Sequence, residues 1–295
     1  MSHTNEADLT KLPFSPRPQH ISRPSVSVPA RATDTHFHIF GPQDKYPLGV
    51  PRMYNPQEAT VENYRAMAAT VGIQRVVVVQ ASVYSTDNRC LLDSIREFGV
   101  DRARGIAVID TDTTDEELEA LKSGGVRGIR FNAISGGTDL DQLSILAKRI
   151  EALGWHIQLW VKGEQLPALE SRLLDLPVEI SIDHIGQITP ANGANSDEFQ
   201  TLLRLLNSRR AWVKLSGYRA SAKVYPHEDV KPFIQEMISA APDRCVWGSD
   251  WPHPLLGTRA MPDVGKLMDL LADWAGTSAQ FEEILVGNPA RLYGF

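Results

Sequence analysis

The run Thr33 to Pro42 reads TDTHFHIFGP and carries two histidines one residue apart. Side chains of an extended strand alternate between two faces, so Asp34, His36 and His38 share one face while Thr35, Phe37 and Ile39 take the other. Two imidazoles converging on one site can polarise a carbonyl or bind a divalent metal. Gly41-Pro42 ends the strand and leaves the histidines at its C-terminal end. Further polar groups follow similar apolar runs: Gln80; Arg130 and Asn132 in GIRFN; Gln158 or Trp160 in HIQLWV; Asp183 and His184 in SIDHIG; Lys214, Ser216, Tyr218 and Arg219 in KLSGYR; and Asp250 and His253 in WGSDWPHP. A guanidinium matches the fork of a carboxylate, which makes Arg130 and Arg219 candidates for holding an acidic substrate, with Tyr54 or Tyr218 nearby on loops.

Each residue also has a plainer use. Asp250 alone is an ordinary turn residue, either arginine is an ordinary ion-pair partner, and Lys214 reads as an inward salt-bridge partner rather than a Schiff-base lysine. Asp183 and His184 are adjacent, so strand alternation lets only one face a barrel axis, and Asp183 reads as orienting a neighbour or pairing with a cation. His156 opens its strand and reads as structural. His3, His20 and His227 fall in an arm or in loops and read as solvated, and His253 as a rim or ligand contact.

Residues so scattered need a scaffold that gathers strand ends. Eight short apolar or β-branched runs read as strands: 32–40, 75–81, 103–109, 125–131, 156–161, 178–185, 211–216 and 245–249. Segments with helical spacing lie between them, at 60–71, 88–98, 114–123, 140–153, 165–174, 197–207 and 230–240. Thr114-Asp115-Glu116-Glu117 supplies a cap and acids at a helix start, and Gly154 follows the last periodic residue of the fourth helix. The run Val76 to Val79 suits a strand covered on both faces. Strand and helix alternating eight times outline an α/β fold, the (β/α)₈ TIM barrel, as a single domain with chemistry at the strand C-termini. Residues 1–30, with Pro13, Pro16, Pro18, Pro24 and Pro29, read as an extended N-terminal arm, and 31–295 as the barrel. The proline-containing loop Gly41 to Asn55 could fold over the mouth as a lid.

The 295 residues are 42% hydrophobic and 22% charged, which is ordinary globular composition, and no apolar run approaches membrane-spanning length. Two cysteines far apart argue against a disulfide framework and for a reducing cytoplasm. A net charge of −6 without a basic block argues against nucleic acid as a partner. The expected partner is a small molecule, and a homo-oligomer is left open.

With His-x-His on the first strand, Asp-His on the sixth and Gly-Ser-Asp-Trp-Pro-His on the eighth, the chain resembles the amidohydrolase superfamily. It looks most like the branch of lactone hydrolases and isomerases that includes the pyrone-dicarboxylate lactonases and galactarolactone isomerases. The resemblance spans about residues 30 to 295, ending in GNPARLYGF. It implies a barrel in which Asp250 activates water while His36, His38 and His184 polarise the carbonyl, as oxyanion donors. Arg130, Arg219, Tyr54, Gln80, Trp160 and His253 would bind a carboxylate-bearing lactone. Metal-binding members add a histidine from the fifth strand, where this chain has Gln158 and Trp160. Metal-free use is therefore expected, with His36, His38, His184 and Asp250 as the ligands if a zinc or other divalent ion is present. The loop after the fourth strand, NAISGGTDL, lacks the extra basic residue of the pyrone-dicarboxylate enzymes, which favours another acidic lactone such as one from a sugar diacid. The competing readings are a lactone isomerase, in which a substrate hydroxyl replaces water, a zinc-dependent decarboxylase, and a non-catalytic binding barrel.

Overall fold

The computed structural model describes residues 9–295; His3 lies outside them. Eight parallel strands follow one another around the sheet in chain order: β1 (Thr33–Phe37), β2 (Arg75–Val79), β3 (Ala103–Ala107), β4 (Val126–Asn132), β5 (His156–Trp160), β6 (Ile180–Ile182), β7 (Ala211–Lys214) and β8 (Cys245–Val246). The barrel closes between β8 and β1. Thr35 N–H donates to the Trp247 carbonyl at 2.9 Å, Asp250 N–H to the His36 carbonyl at 2.7 Å, and His38 N–H to the Trp251 carbonyl at 2.8 Å. This is a TIM barrel, and the seam that closes it runs between the two segments richest in candidate chemistry.

The helices are α1 (Val61–Val71), α2 (Arg89–Phe98), α3 (Asp115–Ser123), α4 (Leu143–Glu151), α5 (Leu166–Leu174), α6 (Asp197–Asn207), α7 (Lys231–Ala240) and α8 (Val264–Ala275), with short helical turns carrying the chain to its end. Thr114 caps α3 in a reciprocal box with Glu117, as the sequence pattern predicts, and Thr60 does the same for α1 with Asn63. Each helix lays an apolar stripe on the barrel. In α6, Phe199, Leu202, Leu205 and Leu206 are fully buried, and burying each such side chain contributes roughly 1.5–3 kcal/mol.

Two expectations about strand geometry change. The register of β1 against β2 shifts between Asp34 and Phe37, so Asp34 does not share a face with His36 and His38. Its carboxylate instead accepts from the Tyr64 hydroxyl of α1 at 2.9 Å, from Ser249 N–H at 2.9 Å and from its own neighbour, His36 N–H, at 3.0 Å. The sixth strand stops at Ile182, and His184 takes a left-handed φ of 51°. That turn breaks alternation and lets Asp183 and His184 both reach the interior.

The arm runs from mouth to floor. Phe14–Ser15 forms a two-residue parallel pair with Asn55–Pro56 of the loop after β1. Ser22 and Ser25 N–H groups then bond to Asp263 and Asp269 at α8, and Val28 packs on Gly72 beyond α1. At the floor the chain's last residues form a plug. The Arg104 guanidinium donates to the carbonyls of Tyr293 and Gly294, the Phe295 ring lies 5.2 Å from the Arg75 guanidinium and 4.8 Å from that of Arg104, and His156 meets the Tyr293 ring edge-on at 5.3 Å. Among the described residues no helix is long and apolar enough to cross a membrane.

Candidate active site

Beyond the C-terminal ends of the strands, His36, His38, His184 and Asp250 come together with almost no exposure to solvent. Asp250 Oδ1 lies 3.6 Å from both His36 Nε2 and His38 Nε2. Its Oδ2 accepts from the Tyr218 hydroxyl at 2.8 Å and from Arg219 Nε. One carboxylate oxygen is thus held by fixed donors and the other faces two imidazoles. Burial pushes the Asp250 carboxyl up, but the charge around it, that of the Arg219 guanidinium foremost, outweighs burial and holds the pKa well below the usual carboxylate range.

The two histidines of the His-x-His pair differ in tautomer. His38 Nδ1 is 2.8 Å from the Val79 carbonyl, which only accepts, so Nδ1 carries the proton and neutral His38 presents a lone pair at Nε2. His36 Nδ1 is approached by two donors, the Gln158 amide at 3.5 Å and the Lys214 ammonium at 3.4 Å. The Gln158 amide orientation follows from its other bonds, Nε2–H to Asp183 Oδ2 at 3.0 Å and Oε1 from Lys214 Nζ at 2.5 Å. Asp183 Oδ1 also lies 3.3 Å from His36 Nδ1, yet it has no hydrogen-bond partner. His36 Nδ1 is therefore the acceptor, and its proton sits on Nε2, which is buried without a partner. Burial lowers the pKa of both rings, most strongly for His36, and takes His184 down to about 4. The three rings are neutral at pH 7. The expectation that all three histidines donate to an oxyanion is corrected for His38: with Nδ1–H committed to Val79, neutral His38 accepts at Nε2.

Lys214 is a salt-bridge residue. Its buried ammonium lies 3.5 Å from Asp183 Oδ1 and donates to the Thr35 carbonyl at 2.9 Å. Burial brings its pKa down to about 8 although Asp183 opposes the shift. Arg130 reaches to 3.6 Å from Asp183 Oδ2, and its guanidinium lies 5.3 Å from the Trp160 ring.

The cavity bounded by these groups is lined by His38, Arg130, Trp160, His184, Arg219 and Asp250, and by Tyr54 from the loop after β1. That loop does fold over the mouth. Ser82, Ser135, Pro254 and Leu255 complete the lining; the sequence singled out none of these. Serines in loops carry no distinctive signal, and Leu255 reads as an ordinary apolar residue. Gln80 is not on the wall, because both protons of its amide are committed to the carbonyls of Ser85 and Asp87. His253 is buried behind Tyr218, whose hydroxyl lies 2.8 Å from His253 Nδ1. His156 sits at the floor, His20 is exposed, and His227 is half-buried with Nδ1 on the Lys223 carbonyl.

One group could hold a metal: His36, His184 and Asp250 offer ligand atoms within 4.8 Å of one another, and three protein ligands are what a catalytic zinc takes. The surrounding charges do not fit a divalent ion. His36 uses its Nδ1 lone pair on donors and carries its proton on Nε2, and the Arg219 guanidinium and Lys214 ammonium already neutralise the two aspartates.

The site is thus a buried carboxylate, three imidazoles and two arginines at the mouth of a closed parallel barrel. The amidohydrolase family matches residues 33–295, and the chain belongs to that family. It is 36% identical over 285 residues to a 2-pyrone-4,6-dicarboxylate hydrolase of Comamonas testosteroni, covering 92% of this chain and 93% of that one. To a D-galactarolactone isomerase of Agrobacterium fabrum it is 31% identical over 278 residues, covering 92% and 93%. An apo crystal structure of the Agrobacterium tumefaciens protein ATU3138 superposes with a TM-score of 0.85 at 29% identity, covering 92% of this chain and 98% of that one.

Proposed function

We propose that the protein is an enzyme of lactonase type that opens a carboxylate-bearing lactone with water, without a metal. The observation that carries this reading is the half-free Asp250 carboxylate, with Oδ2 held by Arg219 and Tyr218 and Oδ1 3.6 Å from two imidazole nitrogens of opposite polarity. A water between them donates one proton toward Asp250 Oδ1 and the other toward the His38 Nε2 lone pair. Its oxygen attacks the lactone carbonyl as Asp250 takes the proton. The carbonyl oxygen gains charge and accepts from His36 Nε2–H, a donor with no other partner. The tetrahedral intermediate collapses, the ring C–O bond breaks, and Asp250 returns its proton to the departing oxygen. The product is a hydroxy acid that ionises in water. His184 packs 4.7 Å from the His36 ring and 5.5 Å from the Trp160 ring, on the wall where the lactone would lie.

Arg130 and Arg219 would take the substrate carboxylate, each already pointing at a carboxylate within the protein. The similarity to hydrolases and isomerases of acidic lactones supports the substrate class. The test is to incubate metal-stripped protein with a panel that includes 2-pyrone-4,6-dicarboxylate and D-galactarolactone, following proton release and product NMR. Ring-opened acid with one proton released per turnover is expected. A new lactone without acid release would replace hydrolysis by isomerisation, with Asp250 deprotonating a substrate hydroxyl. Activity that returns only with added zinc would overturn the metal-free mechanism.

A further inference from the structure

The catalytic cavity has a volume of only about 10 Å³, room for about one water molecule. No lactone fits there until a wall moves. Against its outer side lies a cleft of about 560 Å³, in the range of ligand sites. The cleft runs between the N-terminal arm, at Phe14 and Pro16, and the segment after β8, at Leu255, Arg259 and Met261. It shares Tyr54 and Leu255 with the catalytic cavity, so those two side chains are the partition.

The cleft holds one cation with donors to spare. Arg259 is exposed and uses only Nη1, on the carbonyls of Tyr218 and Arg219, which leaves Nε and Nη2 without a hydrogen bond among the described residues. Lys223 and Lys266 line the adjoining surface pocket together with Arg259 and one acid, Asp263, a net positive patch on a chain of net charge −6. Such a patch raises the local concentration of anions. Leu255 is half-buried with φ of 58°, in a segment where Asp250 and His253 are also left-handed. That region disfavours a residue with a Cβ.

We propose that this cleft is an outer docking site for an anionic lactone, held by Arg259, and that Leu255 is the gate through which the lactone then passes into the catalytic cavity. The proposal rests on the acidic-lactone reading for the identity of the natural ligand, but its test uses citrate, an anionic probe with no lactone ring to open; no citrate-dependent signal at all would remove the docking site. In stopped-flow tryptophan fluorescence, Trp160 on the cavity wall reports admission. The observed rate is expected to rise hyperbolically with citrate concentration, the mark of docking before a gated step. Arg259→Gln should raise the half-saturating concentration about tenfold or more, as loss of a charge-assisted bond does. Because Arg259 also holds two backbone carbonyls, Met261→Trp, which fills the cleft and leaves those bonds intact, should do the same. Leu255→Ala should raise the plateau rate and Leu255→Trp should lower it, whatever either change does to half-saturation through the cleft wall that Leu255 also forms. A rate linear in citrate, or a half-saturation unmoved by both Arg259→Gln and Met261→Trp, would remove the docking site. A plateau unmoved by either Leu255 variant would remove the gate. Failure of the lactonase reading is seen separately, in the lactone panel, and leaves the citrate rates as they are.

Discussion

The two ends of the barrel bury charge in different ways. At the floor, the cations meet groups that cannot leave. Arg104 donates to backbone carbonyls, and Arg75 and Arg104 lie against the Phe295 ring. At the mouth, Arg219 pairs with Asp250, and Arg130 and Lys214 with Asp183. Carbonyl dipoles and ring faces are permanent fixtures of the fold, whereas the cations at the mouth face side-chain carboxylates, the kind of group the proposed substrate carries. The same residue type is thus committed to backbone and rings below and to carboxylates above.

The most severe way to break the mouth is Asp250→Asn. It should cut turnover by about 10³-fold or more at a temperature where circular dichroism shows the variant folded, even though the buried Arg219 loses its ionic partner and stability falls. Retained turnover would remove Asp250 as the base. At the floor, Tyr293→Ala should leave kcat at a permissive temperature unchanged and cost roughly 3–5 kcal/mol of stability, read from urea unfolding. A fall in kcat without loss of stability would erase the distinction between the two ends.

Arg219→Gln sharpens the comparison by acting on acidity. The guanidinium holds the Asp250 pKa down, so its loss raises that pKa and the acid limb of kcat/KM should move to higher pH. KM should also rise, by about tenfold, if Arg219 takes the substrate carboxylate. A shifted limb with an unchanged KM would confine Arg219 to positioning Asp250.

His156 supplies a smaller effect at the floor. Burial pushes its pKa down to about 3, with Lys214 adding to the shift, so it is neutral in the fold and becomes protonated only in the unfolded chain. Its contribution is whole above about pH 6.5 and is lost as pH falls toward 3. His156→Gln should make the loss of stability between pH 6.5 and 5 shallower than in wild type, by roughly 1–2 kcal/mol. Parallel curves would mean that His156 is not the titrating group. The least change is expected from chelation. Stripping divalent metal should leave kcat/KM as it was, because Arg219 and Lys214 already neutralise Asp250 and Asp183.

Alternation of apolar runs and helical spacing was enough to reveal the barrel, since period and order are written locally in the chain. Seven predicted helices and eight strands correspond to observed elements, with ends shifted by a few residues where ladder bonding stops. The gathering of His36, His38, His184 and Asp250 was likewise legible, because the fold brings all strand ends to one mouth and these residue types stand out there. Gln80 was misjudged, since nothing in a sequence shows which carbonyls an amide will reach.

What the chain alone determined is the fold class and the inventory of reactive groups at the mouth. Tertiary structure decided how those groups are used. The register shift after Asp34 turned a carboxylate expected on the face of His36 and His38 away from them and onto Ser249. The left-handed turn at His184 brought two adjacent residues inside together. The Val79 carbonyl and the Lys214 ammonium gave two histidines of one motif opposite tautomers. Each of these depends on a partner distant in sequence, and the state of a proton or the direction of a side chain is set by the atoms packed against it.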